Sequence, residues 1–147
     1  MKSNKKWIKS ILIAAGMVEI VAGLLHFFIL QFAFQSDGFS FLQPKELDFV
    51  TSGVFAVGIL LIAFGSLTII FSFIVEAGKE VLFYYVVVKS ILWLGRIAIE
   101  VLYPVKLNIL NADPFTTVLM PGLIAEFLLF LALVVLVKKY LNADRVI

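Results

Sequence analysis

Tyr84–Val105 reads YYVVVKSILWLGRIAIEVLYPV. It is long enough to cross a bilayer, which takes about 20 apolar residues in a helix. Yet it carries Lys89, Arg96 and Glu100. A charge near the bilayer centre costs roughly 2.5–3.5 kcal/mol on insertion scales. A chain that keeps three ionisable groups here must turn them away from lipid and toward partners.

The remaining sequence says which solvent surrounds this stretch. The chain is 63% hydrophobic, against about 45–50% in a soluble domain. Its mean hydropathy is +1.11. We expect an all-α, polytopic membrane protein, with residues 1–147 forming a single four-helix transmembrane bundle. The expected spans are about 8–34, 49–75, 81–103 and 115–137. These runs do not alternate as the strands of a membrane barrel would. The basic N-terminus is followed by an apolar run too long for the core of a signal peptide, with no small-x-small cleavage pattern after it. It reads as a retained first helix.

Turn residues mark the connections. QSDGFSFLQPKELD (Gln35–Asp48) holds Gly38 and Pro44, and Asp48 suits a cap for the second helix. EAGKE (Glu76–Glu80) is a tight turn through Gly78. PVKLNILNADP (Pro104–Pro114) is bracketed by prolines, and Asp113-Pro114 suits a helix start.

Lys2, Lys5, Lys6, Lys9, Lys79, Lys138, Lys139 and Arg145 gather on one side, while Lys45 and Lys106 fall on the other. The positive-inside rule then predicts both termini in the cytoplasm, N-in/C-in, in the plasma (cytoplasmic) membrane. Trp7 and Tyr140 would mark the cytoplasmic interface as an aromatic belt. A net charge of +2 is too small to imply a nucleic-acid partner. With no cysteine in the chain, disulfides, thiol redox chemistry and thiolate metal sites are excluded.

Six ionisable residues fall inside the spans: Glu19, His26, Lys89, Arg96, Glu100 and Glu126. A rise of about 1.5 Å per residue sorts them by depth. Glu19, Lys89, Arg96 and Glu126 form a central layer, and His26 and Glu100 an outer one. Ala15, Glu19, Ala22 and His26 share one face of the first helix, flanked by Gly16 and Gly23. Lys89, Trp93, Arg96, Glu100 and Tyr103 share a face of the third, where Arg96 and Glu100 can pair. Gly58 and Gly65 make a smooth stripe on the second helix, which lacks a deep charge and reads as a packing wall. Pro121-Gly122, one turn before Glu126, suggests a kink that frees carbonyls near that carboxylate.

These residues predict a small-molecule, proton or ion binding or transport site. His26 would serve as a proton carrier, and Arg96 as the anchor of a small anionic or amphipathic ligand. One alternative is an accessory or assembly subunit of a larger membrane complex, its charges pairing with a partner or with a second copy. Another is a small membrane enzyme acting on a lipid or quinone, with a carboxylate and His26 as acid and base. A metal site of His26 with Glu19, Glu100 and Glu126 is disfavoured, because helical di-metal sites pair Glu-x-x-His motifs and this chain has one histidine. No cofactor is expected. Nucleophile-elbow, Walker and H-E-x-x-H motifs are absent. Ser66, Thr68, Ser72 and Ser90 read as helix-packing hydroxyls.

The size, four-span layout and cytoplasmic termini look like those of several small bacterial and archaeal membrane proteins, DoxX-like proteins among them. No motif carries residues over from that group. The R-x-x-x-E-x-x-x-P run of Arg96, Glu100 and Pro104 is shared with the MAPEG membrane enzymes, but the residues around it do not match.

Overall fold

The computed structural model describes residues 2–34, 42–102 and 119–144. They form four helices in chain order: α1 (Lys2–Phe34), α2 (Pro44–Phe73), α3 (Lys79–Leu102) and α4 (Met120–Asp144). Each contains a stretch long and apolar enough to cross a membrane. The proposed helix start at Asp113-Pro114 lies outside the described residues, as do Tyr103 and the carbonyl that Pro121 would free.

α2 begins earlier than the sequence suggested, and Asp48 is not its cap. Gln43 holds that place in an extended conformation, with Pro44 next. Proline suits this position because its missing N–H would find no intrahelical acceptor there. The Glu46 side chain accepts the Gln43 N–H at 2.8 Å, closing a capping box one turn before Asp48. At the far end, the turn at residues 74–78 is as short as the glycine implied, with Gly78 N–H donating to the Ile74 carbonyl at 3.0 Å. α4 continues past Val137 to Asp144.

Close glycine contacts fix α1 against α2. A Cβ on Gly16 would lie 2.6 Å from the Gly65 carbonyl oxygen, and one on Gly65 would lie 2.6 Å from that of Gly16. The same exchange joins Gly23 to Gly58, at 2.6 and 2.9 Å. Each helix spaces its glycines seven residues apart, so two turns of backbone touch along an antiparallel seam. Without a hydrophobic driving force between helices in lipid, such close packing supplies much of the association.

The apolar core lies at the end of the bundle that carries Lys5 and Tyr140. Ile8, Leu12 and Ala15 of α1 meet Phe71, Val75, Leu82 and Val86 there, with Phe130, Leu133, Val137 and Tyr140 of α4. Tyr140 is buried under the Lys79 ammonium, whose nitrogen lies 4.6 Å from the ring centroid. It is therefore a core residue rather than a belt residue, whereas Trp7 at the same end is 63% exposed.

Candidate functional site

The core ends on a layer of polar groups. Glu19 is fully buried on α1 because its face meets the Gly65 backbone, whose missing side chain leaves room for it. Two further helices reach its carboxylate. Lys89 of α3 forms an ion pair with Oε1, and Trp93, one turn along, donates its indole N–H to the same oxygen at 3.3 Å. Thr68 of α2 donates to Oε2 at 3.1 Å. The Tyr85 hydroxyl is 2.5 Å from the Thr68 oxygen, and both hydroxyls also reach the Phe64 carbonyl, at 3.3 Å from Tyr85 and 2.8 Å from Thr68.

Aromatic rings surround the Lys89 ammonium. Its nitrogen lies 4.8 Å from the centroid of Phe64, 5.1 Å from that of Phe130 and 5.8 Å from that of Trp93. Ring faces attract cations by their quadrupole, most strongly where water is excluded. Glu19 and these faces together offset the removal of the ammonium from water.

Glu126 completes the layer from α4. It is 5% exposed and lies within electrostatic reach of both Glu19 and Lys89. Neither of its carboxyl oxygens has a hydrogen-bond partner among the described residues. A buried carboxylate without donors is costly, so the group has reason to hold a proton or recruit a cation.

The six residues singled out in the sequence thus separate. Glu19, Lys89 and Glu126 come together. Arg96 pairs instead with Glu100, one turn along α3, rather than joining the central layer. The Arg96 side chain is 41% exposed, while that of Glu100 is fully buried. His26 is half-buried against the Gly58 backbone, and its Nδ1 lies 2.7 Å from the Ala22 carbonyl one turn back. No three of the carboxylates and His26 gather into a metal-holding cluster among the described residues.

α2 is more than a packing wall, because Thr68 bonds Glu19 and Phe64 faces Lys89. Thr68 and Ser72 continue the Gly58–Gly65 stripe at helical spacing, and that continuation was the available signal. Ser66 and Ser90 bond the carbonyls four residues back, at 2.8 and 2.9 Å, as packing hydroxyls do. Comparison with protein-family models, with curated proteins and with solved structures finds no match.

Proposed function

We infer that this is a small integral protein of the plasma membrane whose interior binds and passes protons, with Glu126 as the group that takes them up. Both termini are cytoplasmic in this reading, which rests on the eight Lys and Arg residues on one side against two on the other. One observation carries the proton reading: Glu126 is buried beside the Glu19–Lys89 ion pair with both carboxyl oxygens unpartnered among the described residues. Two carboxylates and one ammonium carry one excess negative charge when all are ionised, and a single proton neutralises it.

The test is infrared spectroscopy of the protein in liposomes, titrated with pH. The wild type should show the carbonyl band of a protonated carboxyl group that disappears as pH rises. Glu126→Gln should lack that band and should also abolish proton release from acid-loaded liposomes. A wild-type spectrum without a Glu126-dependent band would sink the reading.

A second reading is favoured by Arg96, whose half-exposed cation belongs to a helix otherwise lined by Ile91, Leu92, Ile99 and Val101. As an accessory subunit, the chain would offer Arg96 to a carboxylate on a partner's helix. Native mass spectrometry after gentle extraction distinguishes the two. Co-purifying subunits that are lost in Arg96→Ala support the second reading, and a monomer retaining Glu126-dependent proton release supports the first.

A further inference from the structure

We propose that Lys89 is a mobile counter-ion, held by Glu19 while Glu126 carries a proton and drawn to Glu126 when that proton leaves. This rests on Glu126 being the proton-binding group. It adds a role for Lys89 that proton binding alone does not require.

The two carboxylates are provided for unequally. Glu19 has two neutral donors besides the ammonium, Trp93 at 3.3 Å and Thr68 at 3.1 Å, the hydroxyl proton of Thr68 being shared with the Phe64 carbonyl at 2.8 Å. Thr68 in turn lies 2.5 Å from the Tyr85 hydroxyl. A carboxylate that accepts two hydrogen bonds keeps much of its charge stabilisation when its counter-ion withdraws. Glu126 has no hydrogen-bond donor among the described residues, so it must hold either a proton or a cation. The charged groups that act on it are Glu19 from α1 and Lys89 from α3; α2 meets the layer through Thr68, on the Glu19 side.

The aromatic rings supply a path for the cation. Phe130 sits one turn from Glu126 on α4, and its centroid is already 5.1 Å from the Lys89 nitrogen. A lysine stem has four rotatable carbons, so the head can cross this ring without moving the helix. Phe64 and Trp93 keep ring faces near it.

The step balances simply. The Glu126 carboxyl O–H breaks and the proton leaves to water. The ammonium remains fully protonated and changes partner, and Glu19 remains ionised on Thr68 and Trp93. The proton's departure is thereby converted into a change in which helix the ammonium ties to α3, α1 before and α4 after, while Trp93 keeps its bond to Glu19.

Trp93 reports the change, because it touches both Glu19 and the ammonium. The chain has two tryptophans, so a Trp7→Phe background leaves Trp93 alone. In liposomes, the Trp93 emission maximum should shift with pH at the same midpoint as the loss of the Glu126 carboxyl band. The shift should vanish in Glu126→Gln. It should also vanish in the double variant Glu19→Gln/Lys89→Met, which strands no charge from the pair and therefore keeps the fold, while its carboxyl band persists. A carboxyl band that titrates while Trp93 emission stays flat would overturn the exchange and leave the proton site standing. A Trp93 shift that survives in the double variant would also overturn it. Absence of the band would remove the proton site and the exchange together.

Discussion

Glu19 and Glu126 differ in what their neighbours offer, and so respond differently to mutation. Deleting the ammonium leaves two buried carboxylates, Glu19 and Glu126, with no cation to share between them. Breaking a buried pair from one side typically costs about 3–5 kcal/mol. Lys89→Ala should therefore lower the thermal midpoint in detergent more than Arg96→Ala does, since the Arg96 side chain is partly exposed. The double variant Glu19→Gln/Lys89→Met should recover most of the loss. Equal losses in all three variants would argue against a buried pair. Thr68→Val removes the Glu19 bond and leaves Tyr85 without that partner. It should cost about 1–3 kcal/mol by the same melting measurement. Glu126→Gln should leave the melting midpoint within about 1 kcal/mol of wild type, because it replaces a group with no protein donor by one that is neutral at every pH.

The seam between α1 and α2 depends on four glycines, and substitution along α2 and α3 separates packing from helix propensity. Gly65→Ala would drive a methyl group to 2.6 Å from the Gly16 carbonyl oxygen, in rigid backbone. It should destabilise by about 1–3 kcal/mol or part the two helices. Gly95→Ala on α3 meets nothing within 4 Å and should gain up to about 1 kcal/mol from helix propensity. Melting the two variants side by side checks this; a neutral Gly65→Ala would mean that the seam is not in close contact. The sequence shows the glycine stripes and the polar face of α1, because both are properties of a single helix read at its own period. It also shows that Arg96 and Glu100 can pair, being four residues apart. It does not show that Thr68, Tyr85, Phe64 and Phe130 converge on Glu19 and Lys89. That depends on the rotation and register of four helices, which no one helix encodes. Arg96 leaves the central layer for the same reason: depth along an axis is legible in sequence, and direction around it is not. Asp48 resembles a cap in sequence, but the Gln43–Glu46 box precedes it, where glutamine is a less familiar signal than aspartate.

The whole bundle is asymmetric along its length. Its apolar core occupies the end with Lys5 and Tyr140, and the polar layer lies beyond it. At that end Lys5 pairs with Glu76 on the surface, which holds the Glu76 carboxyl below its usual range. A lowered folded-state value gives stability that is present above the ordinary Glu pKa of about 4.3 and is lost as pH falls through the lowered value. The thermal midpoint should fall slightly in that acid range, less so in Glu76→Gln and less so in high salt, which screens exposed pairs. A Glu76→Gln profile identical to wild type through the acid range would rule out any contribution. The antiparallel seam has a further consequence for how the chain reaches the membrane at all. α1 and α2 precede α3 in the chain, and the glycine seam of this hairpin needs nothing from α3 to close. That hairpin already holds Glu19, with Thr68 beside it. Lys89 is the costly residue of α3, and its counter-charge is waiting in the bilayer when it arrives. Arg96 brings its own, on the same helix. Chain order places each acceptor ahead of or alongside its cation, so no step of insertion has to carry an unmatched positive charge into lipid.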